Sequence, residues 1–138
     1  MRGMRVVAAA LGAAVALGAC GGGGGDRLSK ADYIKQADAI CKAATAATDK
    51  VAAPDSEEGL PEYVGEIAKV ADKMLKDLRA LNGPAADEKT VDAIYDGYDQ
   101  ALKMITDDPS ALMTLTESPF TEVGKQAQAY GFEECGSE

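Results

Sequence analysis

Proline interrupts a helix interior, and all five prolines of this chain, Pro54, Pro61, Pro84, Pro109 and Pro119, fall at the borders of stretches with apolar residues at helical spacing. The first stretch opens at Ser29, whose hydroxyl can cap a helix with Asp32 in the first turn, a capping-box-like start with Asp in place of Glu; it runs to about Val51. Tyr33, Ile34, Ala37, Ile40, Cys41, Ala44, Ala47, Thr48 and Val51 share one side of it, and Asp38, Lys42 and Asp49 fall opposite. Pro54 to Gly59 reads as a loop. A second helix, Pro61 to about Asn82, starts where the missing proline N–H costs least and stops at Asn82-Gly83-Pro84. Its stripe is Val64, Ile67, Ala71, Met74, Leu75, Leu78 and Leu81, with Asp72 and Lys76 as an i,i+4 pair on the other face. A third, from about Asp87 to Thr106, aligns Val91, Ile94, Tyr95, Tyr98, Ala101, Leu102 and Ile105 and ends at Asp107-Asp108-Pro109. After a short helical turn, Ser118-Pro119 opens a last helix with Phe120, Val123, Ala127 and Tyr130. Gly131 closes it in a left-handed turn that lets Phe132 fold back on Ala127.

No segment shows the two-residue alternation of a strand. The expectation is an all-α fold, an antiparallel four-helix bundle with its fourth helix interrupted near residues 116–118.

The chain ahead of Ser29 has a different character. Arg2 and Arg5 precede a run of Val, Ala, Leu and Gly from Val6 to Leu17, which ends on the small residues Gly18 and Ala19. That is the order of a secretory signal peptide, and the run is short of the ~20 residues that cross a bilayer. Leu17-Gly18-Ala19-Cys20 resembles the lipobox of bacterial lipoproteins, which implies diacylglycerol on the Cys20 sulfur and removal of residues 1–19. Acyl chains there would anchor the protein to a membrane. Five glycines, Gly21 to Gly25, follow and make residues 20–28 a flexible tether; no strand precedes them, as a phosphate-cradling loop would need. Residues 29–138 are then expected to form one helical domain.

The segments Ser29-Lys-Ala-Asp-Tyr-Ile-Lys-Gln-Ala-Asp-Ala-Ile-Cys41 and Ala129-Tyr-Gly-Phe-Glu-Glu-Cys135-Gly resemble the two ends of small, uncharacterised lipoproteins of high-GC Gram-positive (actinobacterial-type) bacteria. The resemblance implies no catalytic or binding residue, only the lipid site and a cysteine pair. With Cys20 lipidated, two of the three cysteines remain, Cys41 and Cys135. An even number in an exported domain points to a disulfide, against two free thiols packed as small hydrophobes.

Charge and composition narrow the function. Without Arg2 and Arg5, 12 of the 14 Lys and Arg remain against 23 Asp and Glu, a balance of −11. Such a chain lacks the basic footprint of nucleic-acid binding, and any membrane contact must come through the anchor. It has no histidine, hence no usual general base near neutral pH, no catalytic triad and no commonest metal ligand. No cofactor is expected.

Three groups merit weighing. Asp92, Asp96 and Asp99 stand on one face of the third helix, but Ile94 and Lys103 would occupy ligand positions of a calcium loop. A solvated face with Lys103 four residues after Asp99 is the favoured reading. Asp55, Glu57, Glu58, Glu62 and Glu66 could meet cations or a basic partner, or simply suit a helix start. Tyr33, Tyr63, Tyr95, Tyr98, Tyr130, Phe120 and Phe132 read as core with hydroxyls reaching the surface, or as a pocket lining.

The expected role is that of a non-enzymatic, membrane-anchored envelope protein on the extracytoplasmic face of the cell membrane, whose bundle meets another envelope protein. The alternative is a carrier for a small apolar or lipid ligand. A carrier needs a cavity lined by residues such as Ile67, Met74, Ile94 and Leu102; an interaction module needs a filled core and an exposed apolar patch.

Overall fold

A computed structural model describes residues 26–137. The lipobox residues Leu17, Gly18, Ala19 and Cys20, the signal segment and the glycine run lie outside the described residues. The described chain is all-helical: α1 Lys30–Thr48, α2 Leu60–Arg79, α3 Glu88–Asp107 and α4 Thr121–Tyr130, with 3₁₀ turns at Glu57–Gly59 and Pro109–Met113.

Local chemistry accounts for the helix ends. Ser29 accepts from the Asp32 amide at 3.2 Å and donates to its carboxylate at 2.7 Å, the expected start of α1. The helix stops three residues before Val51. Lys50 and Val51 bond back to the carbonyls of Ala47 and Thr48, three residues behind, so the last turn tightens and the α pattern ends. In α2, Pro61 sits in the first turn, where its missing N–H is surplus, and Lys76 and Arg79 occupy the last turn, where cations suit the exposed carbonyls. Along its surface Glu66 pairs with Lys69 and Lys73 with Asp77, rather than Asp72 with Lys76.

At the end of α4, Gly131 has φ 119°, and the amides of Gly131 and Phe132 both return to the Ala127 carbonyl, at 3.2 and 3.0 Å. A side chain at that φ would be strained, so glycine allows the reversal that buries Phe132.

Consecutive helices pack in pairs, α1 on α2, α2 on α3 and α3 on α4. The Leu28 amide donates to the Asn82 carbonyl at 2.8 Å, which sets the start of α1 beside the end of α2. Lys30 lies 3.8 Å from Asp87, which brings the starts of α1 and α3 together.

The core has two parts. The larger holds Tyr33, Ala37, Cys41, Leu75, Leu78, Ile94, Tyr95, Val123, Ala127 and Phe132 among others, drawn from all four helices. The smaller is Val64, Leu102 and Ile105, flanked by Leu112 and Phe120. The division follows from length: α4 has 10 residues against 20 in α3, about 15 Å against 30 Å. Beyond α4, the 3₁₀ turn at Pro109–Met113 covers α2 and α3 instead. Where α4 crosses α3, Gly97 faces Val123; a Cβ there would stand 2.9 Å from the valine methyl.

Candidate functional site

Three arrangements carry the chemistry of the described residues: a clamp on the C-terminal strap, a tyrosine-floored pocket, and an apolar cleft.

The clamp is built on α1. Cys41 and Cys135 form a disulfide with Cα atoms 5.0 Å apart, so the sequence-based pairing is the one the structure holds. One turn earlier, the Asp38 carboxylate accepts from the backbone amides of Glu133, Glu134 and Cys135 at 3.2, 2.9 and 3.2 Å. An ionised acceptor for three amides is a strong local restraint. The Tyr98 hydroxyl donates to the Cys135 carbonyl, and the Gln128 amide donates to the Gly136 carbonyl at 2.7 Å.

Asp38 falls opposite the apolar stripe of α1, yet its carboxylate faces the strap and not open solvent. It lies three residues before Cys41, hence on the adjoining side of the helix, so a disulfide at Cys41 brings the strap over it. That spacing was the available signal.

The pocket lies at the end of the fold where the chain enters α1. It has a volume of about 400 Å³ and is bounded by Arg27, by residues 78–84 and by the first turns of α3. At its floor the hydroxyls of Tyr33 and Tyr95 meet at 2.6 Å, on residues that are each 2 % exposed. Burial pushes both hydroxyls above the ordinary tyrosine value, Tyr95 the further because the bond to Tyr33 adds to it. Both therefore remain O–H donors at neutral pH. Arg27 donates to the Gly83 carbonyl at 3.0 Å and approaches Glu88 at 4.0 Å. Beside it, Tyr130 donates to Asp87 at 2.9 Å, and its hydroxyl is also raised, by burial first and by that bond second.

The cleft, about 380 Å³ and open to solvent, runs between the second half of α1, the middle of α2, and Phe120 with the clamped strap. Ile67 and Met74 line it, as a ligand cavity would require. Ile94 and Leu102 do not. They are 2 % and 6 % exposed and belong to the two packed clusters, because α4 and the 3₁₀ turn fill the space next to them.

The acidic groups resolve into surface pairs. Arg79 on α2 donates to both Asp96 and Asp99, at 3.2 and 2.6 Å, and burial by neighbours is outweighed by these bonds, which raise its guanidinium above the ordinary value. Lys103 pairs with Asp107 at 2.6 Å, not with Asp99. Among the described residues no cluster of three or more His, Cys, Asp or Glu side chains has metal-holding geometry. In the acidic run, Glu66 is held by Lys69 at 2.5 Å, and the exposed Glu58 carboxyl is lowered by a hydrogen bond from Ser56. Among the described residues no helix is long and apolar enough to cross a membrane.

Comparison with protein-family models, curated proteins and solved structures finds no match to this chain.

Proposed function

We propose that the chain is a bacterial lipoprotein of the extracytoplasmic envelope, anchored by lipid on Cys20, whose helical unit docks on another envelope protein. In this reading residues 1–19 are the signal peptide, with Leu17, Gly18 and Ala19 as the recognition box. The helical unit is an antiparallel four-helix bundle with its fourth member split between the 3₁₀ turn and α4. The Leu28–Asn82 and Lys30–Asp87 contacts support that topology, since they set the end of α2 beside the starts of α1 and α3. The role is a non-enzymatic one, in keeping with a chain that carries no histidine.

The observation that carries the docking role is a packed core combined with exposed apolar side chains at one end. Met104, Met113 and Leu115 are 50 %, 62 % and 42 % exposed, at the finish of α3 and in the segment that follows it. The anchor enters at the start of α1, beside the start of α3, so these side chains stand one helix length away, roughly 30 Å at 1.5 Å per residue. In this reading they stand clear of the anchored end and are open to a partner.

The test has two steps in the native host. Mature protein should begin at lipid-modified Cys20 and partition into detergent, and Cys20→Ala should be secreted or left unprocessed. A photocrosslinker at Met113 should then capture one discrete envelope protein, and Met113→Asp should abolish the adduct. An unmodified N-terminus elsewhere overturns the anchor; no discrete adduct overturns the docking role.

The carrier reading is favoured by one observation, the apolar cleft at Ile67 and Met74. Native mass spectrometry of protein from its own membrane would show a retained apolar ligand if the cleft is its seat.

A further inference from the structure

The tyrosine-floored pocket has a hydrogen-bonding surplus that the fold does not use. Two hydroxyls facing each other share one hydrogen, so one of the pair donates and the other keeps its own proton. Among the described residues no acceptor takes that second proton, on a residue that is 2 % exposed. The pocket opens beside this pair, so the spare proton faces space that a ligand can enter. At the rim, Asp92 presents an exposed carboxylate to which no described residue donates. It lies close enough to bear electrostatically on the Tyr33 hydroxyl.

The two guanidiniums nearby are already engaged, Arg27 by Gly83 and Glu88, Arg79 by Asp96 and Asp99. The lining is therefore not cationic, which disfavours an anion. What the pocket asks of a ligand is an acceptor for a tyrosine hydroxyl and a donor for a carboxylate, beside the half-buried apolar side chain of Leu81. Adjacent hydroxyls on a ring meet both needs, because each hydroxyl donates and accepts and the ring offers a C–H face. The volume of about 400 Å³ suits a ligand of one or two rings.

We propose that this pocket is a binding site for a neutral sugar ring, held between the Tyr33–Tyr95 hydroxyls and the Asp92 carboxylate. The site stands whether or not Cys20 carries lipid. The sugar comes either free or as the headgroup of a glycolipid.

The test uses the full chain with ¹³C-labelled tyrosine rings, followed by NMR. Maltose is titrated into protein held in phosphocholine detergent; in a second arm the protein sits in phosphatidylcholine bilayer discs with or without a glucosyl diacylglycerol. The expected result is a saturable shift of the Tyr33 and Tyr95 signals in at least one arm. A response to maltose alone identifies a free saccharide, and a response to the glucosyl lipid alone a headgroup. Tyr33→Phe, which keeps the ring, and Asp92→Asn should each weaken the response by about fivefold to tenfold, the worth of one hydrogen bond. Asp92 is exposed, so its substitution keeps the test valid should Tyr33→Phe fail to fold. No shift in either arm, equal affinity in both variants, or displacement of the sugar by glycine betaine would overturn the proposal.

Discussion

Reducing the Cys41–Cys135 bond removes the covalent closure across a sequence separation of 94 residues. In the chain-entropy description, a closed loop of this size costs the unfolded ensemble about 4.7 kcal/mol at 25 °C. The native strap keeps its other restraints, the three amides on Asp38 and the Tyr98 bond to the Cys135 carbonyl, so the loss falls mainly on the unfolded side. The 112 described residues have an unfolding entropy of about 0.24 kcal/mol/K at ~2.1 cal/mol/K per residue. Dividing one by the other lowers the midpoint by about 20 °C. The assay is scanning calorimetry of one preparation with and without a phosphine reductant, with a thiol count to confirm opening and Cys41→Ala/Cys135→Ala as the permanent form. The urea slope should also rise, because an unlinked unfolded chain exposes more surface. A midpoint that drops by less than about 5 °C in fully reduced protein would refute the reasoning, since the bond would then not be constraining the unfolded chain.

Other outcomes follow from single contacts. Leu78 is fully buried between helices, so Leu78→Ala should cost about 3 to 4 kcal/mol in urea unfolding. Asp38→Ala strips the acceptor from three strap amides; hydrogen exchange at residues 133–135 should accelerate while the α3 amides hold, with a global loss of about 2 kcal/mol. Tyr33, Tyr95 and Tyr130 are all raised above the ordinary value of 10.0. Above that pH the unfolded chain loses these protons first and binds fewer than the folded one, so stability is complete below about pH 10 and falls as pH rises. The slope is about 1.4 kcal/mol per pH unit for each group, and Tyr95→Phe should flatten it in alkaline melts.

Features set by neighbours three or four residues apart were legible from the sequence. Ser29 with Asp32, Pro61 in the first turn of α2, and Gly131 returning Phe132 over Ala127 all sit where local chemistry puts them. The cysteine pair was legible by number. The contacts that build the sites join residues far apart in the chain, and no local period encodes them. Tyr33 and Tyr95 each fit an apolar stripe, yet nothing in either stripe says that the two hydroxyls meet. Asp38 looked solvent-facing on its own helix because the strap that covers it arrives from 95 residues away. Lys103 had carboxylates four residues away on both sides, and the choice of Asp107 over Asp99 follows from Arg79 reaching across from α2 to hold Asp99. The cleft joins α1, α2, Phe120 and the clamped strap, which are far apart in the chain, so no single stripe shows it.

The clamp also decides how the protein responds to pulling. Tension applied between Asp26 and Ser137 passes through the Cys41–Cys135 bond and leaves the intervening polypeptide unloaded. Only the segments 26–41 and 135–137 can pay out, about 60 Å of contour at ~3.5 Å per residue, against about 390 Å if the bond were open. A molecule stretched from Asp26 and Ser137 would therefore unzip α1 as far as Cys41 and then stiffen abruptly, with α2, α3 and α4 protected inside a covalent ring.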